Sequence, residues 1–232
     1  MALAPGETSE SFIREVDENL RRSQAETFFR RWGKLLVAGA ILALVAIAAL
    51  IWWRSQQAEK TAAQSEELAA VIQDMTAGKT RDIDTRLAAI SAQDSGGYGG
   101  LAQMTGAAWA LQNGERAKAL ATYSAVAADK GQPEEFRNVA LLRQTALEFD
   151  ALKPEQVIAR LQPLVTPGSP WFGTAAEMTA MAMLKQNRRS EAGQLFGKIA
   201  ADKDVPGSLR ARAVQIAGTL GVDATAAMPA AE

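Results

Sequence analysis

From Leu35 to Trp53 the chain reads LLVAGAILALVAIAALIWW, with no charge or amide, between Lys34 and Arg54. At ~1.5 Å rise per residue such a helix is about 28 Å long, close to the ~30 Å hydrocarbon core of a bilayer. The pattern predicts one transmembrane helix over 35–53. Trp32 at one end and Trp52 with Trp53 at the other stand where interfacial aromatic belts form. A buried helix of a soluble domain seldom runs this far without a polar residue. A cleaved signal peptide has a shorter apolar region of ~7–15 residues near the start of the chain and ends at a small-x-small site. This run ends in Ile51-Trp52-Trp53-Arg54 behind a long N-terminal segment, and so reads as an uncleaved anchor.

Basic residues set the direction of the anchor. Arg21, Arg22, Arg30, Arg31 and Lys34 precede it with only Glu26 among them, whereas Arg54 and Lys60 follow it beside Glu59, Glu66 and Glu67. By the positive-inside rule the N-terminus stays in the cytoplasm and the remainder is exported, in a bacterium to the periplasm. Residues 1–34 are then a cytoplasmic segment with a short amphipathic helix from Ser11 to Lys34, carrying Ile13, Val16, Leu20 and Phe28 at helical spacing. That helix is either solvated or docks Phe12, Ile13, Val16 and Leu20 on a partner or the inner leaflet.

Beyond Arg54 the pattern changes. The region is Ala-rich with interspersed polar residues and has no sustained period-2 alternation, which predicts helices throughout. Gly and Pro punctuate it near Gly78, Ser95 to Gly100, Gly114, Gly131-Gln132-Pro133, Pro154, Pro167 to Pro170 and Pro206-Gly207. A long helix from Arg54 to Met75, with Leu68, Val71, Ile72 and Met75 on one stripe, and a shorter one over Thr85 to Ala92 would form a divergent first repeat.

The spacing inside the next helices is that of tetratricopeptide units, which need small residues where two antiparallel helices cross, a turn, and a large residue further along the second helix. Ala107, Ala110, Gly114, Ala119, Tyr123 and Val126 occupy those positions in order, as do Ala180, Met183, Asn187, Ala192, Phe196 and Ile199. Asn187 takes the turn position, where a left-handed backbone suits Asn better than most residues. Between them lies a degenerate unit with Ala146 and Phe149 in its first helix and Val157, Leu161 and Leu164 in its second. The steps from Ala119 to Val157 and on to Ala192 are close to the ~34-residue period. Ser208 and its neighbours start a capping helix, Leu209 to Leu220. The expected architecture is all-α: a single N-terminal transmembrane helix, a tetratricopeptide-like helical solenoid over 54–220, and a disordered tail over 221–232, where bulky apolar residues are scarce.

Composition removes whole classes of function. Lys plus Arg number 25 and Asp plus Glu 26, so no global field favours nucleic acid. Cysteine and histidine are absent, which excludes disulfides, thiol chemistry, His-based triads and His or Cys metal sites. No GxSxG, HExxH, P-loop or GxGxxG stands in the required order. Neither an enzyme nor a cofactor is expected.

The order of these features, with the phrases SFIREVDENLRRSQAETFFRRW, GYGGLAQMTGAAWALQNGERAKALATYSAVAAD, FRNVALLRQTALEF, LQPL and SPWFGTAAEMTAMAMLKQNRRSEAGQLFGKIAAD, resembles the YfgM-like tetratricopeptide family over nearly the whole chain. Those proteins are described as ancillary subunits of the Sec translocon. The resemblance implies an inner-membrane protein whose periplasmic domain meets translocon subunits, periplasmic chaperones and exported proteins, and it brings no catalytic residue. The Gly-rich loop around Tyr98 and the poorly matched middle repeat are where the chain departs from that pattern.

Stacked helix pairs create a long concave surface for peptides or partner helices. The candidate protein-binding residues on first helices of the clear units are Gln103, Thr105 and Gln112, then Glu177, Lys185 and Gln186. Trp109 and Trp171 are expected in the core, the latter after a Ser169-Pro170 helix start. A different function for the same topology is tethering a cell-wall, outer-membrane or division machine, and the proteins that crosslink to the helical domain distinguish the two.

Overall fold

A computed structural model of the chain describes residues 7–93 and 97–227, and every regular element among them is helical. Two compact units divide the chain, Met1–Ala62 and Ala63–Glu232.

Helix α1 (Glu7–Thr76) carries the apolar run within the first unit, and its residues from Ala63 on belong to the second. It is the one helix among the described residues long and apolar enough to cross a membrane, with a mean hydropathy of 2.8 in its most apolar stretch. Its large side chains lie open, Leu42 and Trp52 at 70% and 68%. The separate short helix expected from Ser11 is not separate. No proline interrupts residues 7–76, and Gly33 and Gly39 cost a helix only ~1 kcal/mol each, too little to stop it. The side chains of Phe12, Ile13, Val16 and Leu20 lie outside the described ones.

The second unit is built from successive antiparallel pairs. The end of α1 packs with α2 (Ile83–Gln93), α3 (Gly97–Gln112) pairs with α4 (Arg116–Ala128), and α5 (Glu134–Glu148) pairs with α6 (Pro154–Leu161), which a 3-10 turn extends over Gln162–Leu164. Then α7 (Phe172–Lys185) pairs with α8 (Arg189–Ala201), and α9 (Gly207–Thr219) covers α8. Apolar clusters follow the same order. Leu68, Val71, Ile83, Leu87 and Ile90 meet Ala102 and Trp109; Ala107, Ala110, Ala119, Tyr123 and Val126 meet Ala140; Val157, Leu161 and Leu164 meet Ala175 and Ala182. The last cluster joins Phe172, Ala180, Ala192, Phe196 and Ile199 to Ala213, Val214 and Ala217 of α9. Each layer thus buries its face on its neighbours alone, the mark of a repeat structure.

The repeat also shows in its turns. Among the described residues four helices end on a left-handed residue: Gly78, Gly114, Asn187 and Gly221, at φ of 73°, 78°, 58° and 83°. After each, the following N–H reaches back to a carbonyl of the last turn, as from Glu115 to Ala110 (2.8 Å) and from Arg188 to Met183 (3.0 Å), which satisfies acceptors the helix leaves open. Polar staples repeat at the same interval. Lys118 holds Asp84 across a separation of 34 residues, Lys185 holds Asp150 across 35, and Arg212 holds Glu177 across 35.

Several expectations are corrected. Ala146 is exposed, and Ala140, Leu142 and Thr145 are the buried positions of α5. Ser169 and Pro170 do not begin α7: the Ser169 carbonyl accepts from Phe172 N–H at 3.0 Å and its hydroxyl from Trp171 N–H at 3.3 Å, a turn that delays the helix to Phe172. Trp171 is half-buried against the middle cluster, while Trp109 is core. Residues 97–100 are the first turn of α3 rather than loop. At Gly100 a Cβ would come within 2.7 Å of the Phe136 ring, so α3 and Phe136 of α5 can close only on glycine. Residues 221–227 are not a loose tail: Val222, Ala224 and Ala227 pack on α8 and α9, and Arg210 donates to the Ala227 carbonyl at 3.1 Å. Val222 fits because Gly193 and Gly197 clear the surface of α8. Residues 228–232 lie outside the described ones.

Candidate functional site

The first helices of successive pairs line an open groove of about 630 Å³ within the second unit. The end of α1 supplies Ile72 and Met75; α3 supplies Leu101, Met104, Thr105, Ala108, Leu111 and Gln112; α5 supplies Phe136, Val139 and Arg143. The α3 residues fall at helical spacing on one stripe, while Ala102, Ala107, Trp109 and Ala110 face the core from the other side. Apolar residues therefore occupy both faces of α3: one is core, and on the other Met104 and Leu111 are half-buried against that core while Leu101 and Ala108 stay exposed. Ile72 and Leu101 keep 41% and 39% of their surface. Open apolar stripes between helices are among the features that binding surfaces present.

Arg143 is the one charged side chain lining the groove, and among the described residues no carboxylate pairs with it. Tyr123, 3% exposed, forms part of the same wall. Burial pushes its phenol above the usual value, and the positive charge of Arg143 acts the other way. The threonines offer little to a ligand backbone: Thr105 already donates to Leu101 O at 2.8 Å and Thr76 to Gln73 O at 2.8 Å.

Of the six candidate binding residues, Thr105 and Gln112 line this groove. Gln103 faces elsewhere, donating to Ser91 Oγ at 3.1 Å in a recess shared with α2. Glu177 accepts two bonds from Arg212 at 2.8 and 2.9 Å. Lys185 holds Asp150 at 2.8 Å and lies 4.4 Å over the Phe149 ring, and Gln186 accepts from Arg188 at 3.0 Å. Glu177, Lys185 and Gln186 therefore make contacts within the stack. Sequence reasoning passed over Ile72, Leu101, Met104, Phe136, Val139 and Arg143. Their signal is an apolar stripe beyond the width one core needs, legible on α3 as a helix apolar nearly all round.

A second recess of about 300 Å³ lies between α6, α7 and α8. Thr179, 3% exposed, lines it, and its hydroxyl has no hydrogen-bond partner among the described residues. Among the described residues no group of three or more acidic side chains is placed to hold a metal. The carboxylates held below their usual range are surface groups. Hydrogen bonds from Arg86 and Lys79 lower Asp74, one from Lys185 lowers Asp150, one from Arg188 lowers Glu191, and the Thr225 N–H lowers Asp223. These are ion pairs and turns that fasten helices, not a convergent acid–base site.

Comparison with curated proteins and with solved structures gave no match. The family model described as a tetratricopeptide repeat-like domain matches residues 26–216. Repeat domains of this kind serve protein–protein interaction, which suits an open apolar groove along first helices. With helix pairs, small-residue crossings and left-handed turns recurring at that period, the chain belongs to the tetratricopeptide repeat-like domain family.

Proposed function

We propose that the protein is a membrane-anchored periplasmic scaffold that binds other proteins through its helical repeats, and that it serves as an ancillary subunit of the Sec translocon, linking exported proteins to periplasmic chaperones. One observation carries the binding part: the open groove built by α1, α3 and α5, in which Ile72, Leu101 and Ala108 are exposed beside the half-buried Met104, Leu111, Phe136 and Val139. The anchor rests on the exposed apolar stretch of α1 and the direction on the arginines before it. The translocon rests on the family resemblance of the sequence. Within this reading 1–34 is cytoplasmic, 35–53 spans the membrane, and Gln103, Thr105, Gln112, Glu177, Lys185 and Gln186 belong to the surface that partners approach.

In-cell photocrosslinking from probes in the membrane helix and at Gln103, Gln112 and Lys185, read by mass spectrometry, tests this. Translocon subunits and exported chains are the expected products. Division or cell-wall proteins without them would replace the translocon with a tethering role in the envelope.

A further inference from the structure

The groove's chemistry narrows what can occupy it. An extended peptide would bury its own N–H and C=O groups along Leu101, Met104, Leu111, Phe136 and Val139, where Gln112 and Arg143 are the uncommitted polar side chains of the lining, and each unmet group costs ~1–3 kcal/mol. The two lining threonines are already committed to their own helices. A helix brings its backbone bonds with it and offers only side chains, so an apolar groove walled by helices favours a helical occupant. The stripe from Leu101 to Leu111 is about three helical turns long. At its middle Ala108 is exposed and small, which leaves room for a large side chain from the other partner.

Charge supplies the second constraint. Arg143 is exposed, is the one charged side chain lining the groove, and like Arg81, Arg137 and Arg189 pairs with no carboxylate among the described residues. A guanidinium beside apolar walls gains most from a carboxylate, through charge-assisted and bidentate bonds. We infer that the groove takes an amphipathic helix of a partner protein, whose apolar face seats over Ala108 and whose flanking Asp or Glu pairs with Arg143. This deepens the scaffold reading and rests on it.

The test is selection of a phage-displayed library of helical peptides, about four turns long, on the full chain in lipid nanodiscs, counter-selected on empty nanodiscs. The wild type is expected to enrich an apolar stripe flanked by acidic over basic side chains by about tenfold or more, the lower end for close charge pairs across interfaces. Arg143→Glu is expected to reverse that preference. Ala108→Trp, at an exposed position, should remove the enrichment while the unfolding midpoint stays that of wild type. The same consensus on wild type and Arg143→Glu, or none on wild type, overturns the inference. Crosslinks from groove probes to proteins in cells, without that charge reversal, would leave the scaffold standing and sink only this inference.

Discussion

Phe196 is fully buried in α8, among Phe172, Ala192, Ile199, Val205, Ala213, Val214 and Ala217. Truncating a buried Phe to Ala costs about 3–5 kcal/mol, because the lost transfer energy adds to a cavity the surroundings fill only in part. Helices α7, α8 and α9 have 14, 13 and 13 residues, and at about 0.05–0.15 kcal/mol per residue they hold on the order of 2–6 kcal/mol of stability. The two figures are comparable, so Phe196→Ala should open the C-terminal pair and its cap near room temperature. In a quasi-one-dimensional stack the loss passes only to nearest neighbours. Native-state hydrogen exchange on the full chain, read by mass spectrometry, should show the amides of α8 and α9 exchanging freely while those of α3 and α4 change by less than about tenfold, a step of 1.4 kcal/mol. Equal loss of protection from α3 to α9 would refute the reasoning, since it would mean one cooperative unit rather than stacked layers.

Three further outcomes follow from the turns, the ion pairs and the tail. Gly114→Ala should lower stability by about 1–2 kcal/mol in urea unfolding because φ there is 78°, whereas Asn187→Gly, at 58°, should change it by less than about 0.5 kcal/mol; equal effects would contradict equivalent left-handed turns. Asp74, Asp150 and Glu191 are held below their unfolded values of about 3.9–4.3 by Arg86, Lys185 and Arg188, so their contribution is present above that range and lost as pH falls through the lowered folded values. The unfolding midpoint should therefore hold level from pH 7 to 5 and fall below about pH 4, less steeply in ~1 M salt; a midpoint that rises on acidification would refute this. Deleting the chain from Val222 onward should cost about 1–3 kcal/mol by uncovering Gly193 and Gly197, and an unchanged urea midpoint would return the tail to disorder.

How much of this was legible depends on what each residue type can encode. Ala107, Ala119, Ala180 and Ala192 announced helix crossings because close approach demands a small side chain, and Gly114 and Asn187 announced turns because few residues accept positive φ. Ala146 misled because alanine suits an exposed face as well as a crossing. Ser169-Pro170 offered a helix start, but the Ser169 carbonyl and hydroxyl close a turn first. The packing of Val222 depends on two glycines far back on α8, a tertiary fact that local composition does not contain. The groove escaped for a related reason. On α3 Met104 and Leu111 do pack half-buried on the core, and only the placement of α4 and α5 shows that the same stripe, with Leu101, also lines an open groove. Glu177 and Lys185 were candidates as polar residues on the first helix of a clear repeat, and neighbours across one repeat claim them: Arg212 takes Glu177, and Asp150 takes Lys185.

The central claim is that this groove is where the protein meets its partners. Photocrosslinking in cells from Leu101 and Ala108, compared with Ser124 on the exposed side of α4, tests it most directly. The account predicts that the groove positions yield discrete protein adducts, translocon subunits and exported chains among them, and that Ser124 yields few. Adducts of equal yield and identity from Ser124, or none from Leu101 and Ala108, would contradict it.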